Sequence, residues 1–127
     1  MSASLAVQRL VAAMLADVPG VTGVYDGPPP DAVPPYLVIG ADIVTDAGTK
    51  TEVAHDHRLA INVWDAGPGA AAAKAVMGAV TTRLGNLTGS DGGHRIVSSR
   101  LVRSLVLTDA EGWTQGVVEF RVRSAAV

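Results

Sequence analysis

The sequence predicts an α+β domain, an antiparallel or mixed sheet of four to five strands with two helices packed on one face. Three observations predict it. Two stretches carry apolar residues at three- and four-residue steps. Four longer stretches are β-prone, and they come in pairs joined by turn-rich segments, with helices interposed between the pairs rather than alternating with every strand. The length, 127 residues, matches one domain (residues 1–127) at about 100–200 residues each, and no internal repeat or linker divides it.

Val7, Leu10, Val11, Met14, Leu15 and Val18 form the apolar stripe of a first helix, capped by Ser2 or Ser4 and ended by Pro19-Gly20. Val21 to Tyr25 is a short β-prone run that stops at Asp26-Gly27-Pro28-Pro29-Pro30. The donor-poor stretch continues from Asp31 to Pro35, which predicts a loop or edge and not a central strand. Tyr36 to Thr45 and Glu52 to Asp65 then read as a hairpin whose long tip, Thr45 to Thr51, is a flexible connection. On its second strand Val53, His55, His57, Leu59, Ile61 and Val63 share one face. Ala54, Asp56, Arg58, Ala60, Asn62 and Trp64 share the other, and the buried part begins around Leu59.

Pro68 stands where a first-turn proline would, and Ala73, Val76, Met77, Val80, Leu84 and Leu87 follow at helical spacing. The alanines of this second helix let it lie close to a sheet. Gly85 to Gly93 reads as a loop, and its Asn86-Leu87-Thr88 glycosylation pattern as accidental in a chain without a secretory signal.

His94 to Thr108 and Trp113 to Ser124 read as two long strands across an Asp109–Gly112 turn. With Thr108 facing Trp113, Val97, Leu101, Leu105, Leu107, Val118, Phe120 and Val122 fall on the core side. Ser98, Arg100, Ser104, Glu119, Arg121 and Arg123 fall on the polar side. That register sets Arg100 opposite Arg121, a like-charge pair that costs stability unless a carboxylate answers it. Glu119 is the internal candidate nearby, so the pattern points to an acidic neighbour on another chain.

Composition narrows the function classes. Apolar residues make up 48% but only five are aromatic, so the core is aliphatic; charged residues are 17%, below the roughly 25% of ordinary domains. A surface this short of charge is often covered by another protein. Net charge of −2 removes the long-range field that a nonspecific DNA or anionic-membrane binder uses. No apolar stretch approaches the roughly 18 residues of a membrane span, and without cysteine there is no disulfide, thiolate nucleophile or Cys-based metal site.

Catalytic patterns are weak. His55 and His57 at i and i+2 point the same way on a strand and have metal-ligand character, with His94 or Asp65 as a third ligand, but no accompanying metal motif is present. The plainer reading is two polar residues at an exposed strand start. Ser98, Ser99 and Ser104 lack a nucleophile elbow, the glycines at 85, 89, 92 and 93 match no phosphate-loop spacing, and Asp42, Asp46, Asp56 and Asp65 are scattered. The arginines at 95, 100, 103, 121 and 123 are the main basic concentration, read as a solvated or subunit-facing surface.

Pro35-Tyr36-Leu37-Val38-Ile39-Gly40, Thr49-Lys50-Thr51-Glu52, His57-Arg58-Leu59 running to Val63-Trp64, Gly67-Pro68-Gly69, Gly93-His94-Arg95-Ile96-Val97 and Gly116-Val117-Val118-Glu119-Phe120-Arg121 follow in order. Together they resemble the small tail-completion or tail-terminator proteins of long-tailed phages and related bacterial gene transfer agents. The resemblance implies a virion structural protein: a hexameric ring that caps the tail tube, ends its polymerisation and joins tail to neck and head. The implied partners are copies of the chain, the tail tube protein and a neck or head-completion protein. DNA only passes through the lumen, and no cofactor, metal, catalytic residue or membrane is involved. Assembly in the bacterial cytoplasm and a place at the tail–neck junction are implied too.

By position, Thr45, Asp46, Thr49, Lys50, Thr51 and Glu52 at the tip would reach a neighbouring subunit or the tube, and exposed strand edges would join protomers. Arg100, Glu119, Arg121 and Arg123 would meet acidic partners or line the channel. The competing readings are a small metal- or ligand-binding enzyme using His55 and His57, and a monomeric adaptor that binds through the tip.

Overall fold

The computed structural model describes every residue except Pro28 and Pro30, so those two positions of the predicted connector lie outside the described residues. In chain order the elements are α1 (Ala3–Leu15), β1 (Val24–Tyr25), β2 (Tyr36–Asp46), β3 (Ala54–Asp65), α2 (Ala71–Gly85), β4 (Ser90–Asp91), β5 (His94–Thr108) and β6 (Thr114–Ala126). The strands form one sheet in the order β1-β2-β3-β6-β5-β4. It is mixed, because β1 runs parallel to β2 and every other pairing is antiparallel.

The sheet has six strands where four to five were expected. The extra one, β4, forms inside the predicted Gly85–Gly93 loop, where Gly92 and Gly93 at φ of 55° and 86° turn the chain back onto His94 and Arg95. β1 is the predicted edge, two residues long.

Of the two candidate serines, Ser2 caps α1: its Oγ accepts from the Leu5 N–H at 3.1 Å. The helix ends at Leu15, ahead of Pro19-Gly20. Pro68 lies outside α2 rather than in its first turn, because Gly69 adopts φ of 75° and helical backbone begins only at Ala71.

Val7, Val11 and Leu15 of α1 and Ala73, Val76, Val80 and Leu84 of α2 join one cluster with Leu37, Ile39, Leu59, Ile61, Val63, Val118, Phe120 and Val122, which places both helices on one face of the sheet. Phe120 is the one aromatic member, so the core is aliphatic as its composition required. Burying each such side chain contributes about 1.5–3 kcal/mol. At Gly116 a Cβ would overlap the Met77 thioether, so this glycine, with Ala73, lets α2 lie close on β6.

β6 alternates as predicted, with Thr114, Gly116, Val118, Phe120, Val122 and Ser124 buried. β5 does not. Thr108 pairs with Thr114, not Trp113, and bulges at Val97 and Val102 shift the ladder twice. Val97, Leu101 and Leu107, expected in the core, are 47%, 44% and 50% exposed; Leu105 is only partly covered. Ile96 and Val106 are the β5 side chains that touch the core, and none of the strand's residues is fully buried.

Candidate functional site

Among the described residues the sheet's second face carries no helix, and the ladders lay its side chains out in rows. Tyr36, Trp64, Gln115 and Leu107 form one row; Thr45, Asp56, Arg123 and Ser98 form another eight residues back along β3. At about 3.4 Å per residue those rows lie roughly 27 Å apart. The two ends differ in chemistry.

Four of the chain's five aromatic residues gather at the first end. Trp64 and Trp113 meet edge to face with centroids 6.4 Å apart, and Tyr25 and Tyr36 do so at 6.1 Å. Tyr36, Val38, Trp64, Trp113, Pro29 and Asp109 line an open cleft of about 300 Å³ there. Trp113 is held by the turn, in which Asp109 Oδ1 accepts from the N–H groups of Glu111 and Trp113, both at 2.9 Å.

The other end is basic. Arg58, Arg121 and Arg100 stand directly across from one another on β3, β6 and β5. Arg103 and Arg123 flank this row. Asp56 lies among them and accepts from Arg121 at 2.9 Å and from Arg123 at 3.1 Å. Those hydrogen bonds, Arg123's first, hold its carboxyl down to about 2. Glu119 takes both Nε and Nη2 of Arg103 at 3.1 and 3.0 Å, which lowers its own pKa and raises that of the arginine. Within the chain, Asp56 of β3 answers Arg121 of the like-charge pair. Arg58 and Arg100 take part in no ion pair among the described residues.

The predicted tip lies at this same end. Thr45 and Asp46 belong to β2 itself. From Ala47 to Val53 the chain forms a hydrogen-bonded turn rather than a loose connection: Ala47 N–H donates to Ala54 O at 2.9 Å, and Thr49 N–H to Glu52 O at 2.8 Å. Thr49 Oγ1 accepts from the N–H groups of Thr51 and Glu52. Lys50 and Thr51 point into solvent, while Glu52 reaches Arg95 at 3.5 Å. The structure thus brings Thr45, Arg100, Arg121, Arg123 and the tip to one end, with Glu119 one row inward. Sequence reasoning missed Asp56, Arg58 and the aromatic cluster. The alternation of β3 had placed Asp56, Arg58 and Trp64 on one face, but the adjacency of β3 and β6 was not in the pattern.

The histidines lie on the helix-covered side. His57, expected at an exposed strand start, is fully buried, because the start of α1 and the end of β6 close over it. Its Nε2 is 2.8 Å from Ser124 Oγ and its Nδ1 is 3.6 Å from Asp42 Oδ1. Ser4 donates to Asp42 Oδ2 at 2.6 Å. Burial raises the Asp42 carboxyl, but the His57 ring and the Ser4 hydroxyl outweigh it and leave the group below its ordinary value. The His55 ring lies 6.3 Å from that of His57 and 6.4 Å from that of His94. Asp65 is at the far end of β3, bonded to the Gly67 N–H. Among the described residues no three His, Asp or Glu side chains are set to hold a metal ion, and no helix is long and apolar enough to cross a membrane.

Residues 2–125 match the family described as Tail completion protein gp17. The chain belongs to that family. Tail completion proteins are structural parts of phage-type virion tails, and this one is such a tail protein. Its fold is similar to that of a chain in the virion of a native gene transfer agent (GTA) particle, with a TM-score of 0.76 and 26% sequence identity over 98% of this chain and 96% of the other. Comparison with curated protein sequences finds no match.

Proposed function

We propose that this tail completion protein acts as one tail-terminator domain, residues 1–127, whose copies close into a hexameric ring on the last ring of the tail tube. The ring ends tube polymerisation and presents a platform to the neck or head-completion protein. DNA passes through its lumen, and no molecule is turned over. The chain assembles in the bacterial cytoplasm and works at the tail–neck junction.

The helix-free sheet face carries this reading. It places aromatic residues at one end and unpaired arginines at the other, the side-chain types enriched where proteins meet. The family membership and the likeness to a chain of a gene transfer agent virion support the same reading. Arg100, Arg121 and Arg123, with Glu119 orienting Arg103, form the contact surface at one end. Thr45, Asp46, Thr49, Lys50, Thr51 and Glu52 project beside it toward a neighbouring subunit or the tube. Capping then requires one surface that matches the tube and an opposite surface that does not.

Purified protein added to polymerising tail tube protein tests this. The expected result is tubes of restricted length with a ring at one end in negative-stain images. Unrestricted tubes, or a protein that stays monomeric by light scattering even on tubes, would favour the adaptor reading instead.

A further inference from the structure

The sheet is open at both edges, and the open stretches are apolar. β4 and the residue before it cover β5 at His94, Arg95 and Ile96, whose N–H donates to Gly89 O at 2.9 Å, so among the described residues β5 from Val97 to Thr108 has a strand neighbour on its β6 side alone. β1 covers β2 only at Leu37 and Val38, so from Ile39 to Asp46 β2 has a neighbour on its β3 side alone. Of eleven exposed large hydrophobic residues among the described residues, six lie on these two strands: Val97, Leu101, Val102 and Leu107 on β5, and Ile43 and Val44 on β2. A long, apolar, unpaired edge invites another strand. Here two such edges occur on opposite sides of one sheet.

We infer that β5 of one copy pairs antiparallel with β2 of the next, so that the sheet runs continuously through the assembly. The direction follows from topology. β2, β3, β6 and β5 alternate in direction across the sheet, so β2 and β5 run oppositely, and rotation about an axis along the strands brings β5 against a β2 of opposite sense. The position follows as well. β1 blocks the start of β2, which leaves the Asp42–Asp46 half, and the rows of Asp42–Thr45 continue through β3 and β6 to Leu101–Ser98 of β5.

Those two segments match in length and run in opposite senses. By those rows Ile43 comes opposite Arg100 and Thr45 opposite Ser98 on the helix-free face, while Val44 comes opposite Ser99 and Asp42 opposite Leu101 on the covered face. The bulges at Val97 and Val102 bound the β5 segment, which keeps the pairing short and its register defined. The occupant is therefore a second copy of this chain. This rests on the ring reading and adds which edges make the ring.

The absence of cysteine makes the test direct. Ile43→Cys and Arg100→Cys are made as single variants, with Val44→Cys and Ser99→Cys as the adjacent pair. Each is checked for native circular dichroism, then oxidised on tail tubes alone and as mixtures. The expected outcome is a disulfide-linked dimer only in a mixture of one β2 and one β5 variant, and a ladder of linked species when both changes are in one chain. Linking by a single variant alone means like edges meet and overturns the proposal. Rings in negative stain with no linkage for any pair overturn it too, while leaving the ring reading standing. Absence of any ring on tubes overturns both.

Discussion

Arg100 lies directly opposite Arg121 in the β5–β6 ladder, and the carboxylate nearest the pair belongs to neither strand: Asp56 of β3 reaches across to hold Arg121 and Arg123 together. Directly opposed like charges destabilise a sheet, and Asp56 offsets part of that repulsion by pairing Arg121 and Arg123 of β6. Because its folded pKa of about 2 is below the ordinary 3.8, its contribution is fully present above about pH 4 and is lost as pH falls from 4 toward 2. Asp56→Asn should lower stability at neutral pH by on the order of 1 kcal/mol, as expected for two surface pairs. Urea unfolding from pH 7 to 2 should show a shallower acid loss in the variant, and parallel curves would refute the assignment.

His57 and Ser124 make the corresponding bond on the covered side. His57→Ala leaves a cavity, strands the Ser124 hydroxyl and leaves the Asp42 carboxylate with Ser4 alone, at a cost of about 2–4 kcal/mol. Denaturant unfolding measures this. A loss below about 1 kcal/mol would mean that the ring is not the packed, bonded group described.

Phe120 is the largest fully buried side chain, on the strand with long neighbours on both sides. Phe120→Ala should cost about 3–5 kcal/mol. Leu107→Ala, at a half-exposed position on β5, should change stability by less than about 1 kcal/mol. Equal losses at the two sites would contradict the burial pattern.

Deleting Asp46 to Thr51 removes the turn but no buried side chain of the core. The variant should keep its circular dichroism spectrum, lose a few degrees of melting temperature at most, and cap tubes less efficiently. Tube lengths equal to those with the intact protein would remove the tip from the contact surface.

Trp64 and Trp113 are both half-buried on the aromatic end. If that end is covered in the assembled tail, tryptophan emission should shift to shorter wavelength on capping and Trp113→Phe should halve the change. An unchanged spectrum in capped tubes would leave the aromatic end solvent-facing.

The strands legible from sequence were those whose alternation runs uninterrupted. β6 alternates from Thr114 to Ser124 without a break, and its buried set matches the expectation residue for residue at Val118, Phe120 and Val122. β5 has an equally suggestive pattern, but two inserted residues, Val97 and Val102, each displace the ladder, and nothing in the residue types marks a bulge between valines and arginines. β1 and β4 are two residues long, too short to carry a period. The arginine row was half visible: Arg100 against Arg121 follows from the final hairpin, whereas Arg58 and Asp56 join it only through the nonlocal choice of β3 as a neighbour of β6. His57 misled for a similar reason, since a histidine next to an aspartate and an arginine looks solvated until the start of α1 closes over it.

The separation of the two ends of the sheet has a geometric consequence. Every object generated by turning copies of this chain about a line parallel to its strands inherits two unlike rims, one rich in indole and phenol rings, the other in guanidinium groups. Such a collar distinguishes up from down by itself, so a cylinder arriving on one side and a connector arriving on the other can each find its own place without an additional orienting component.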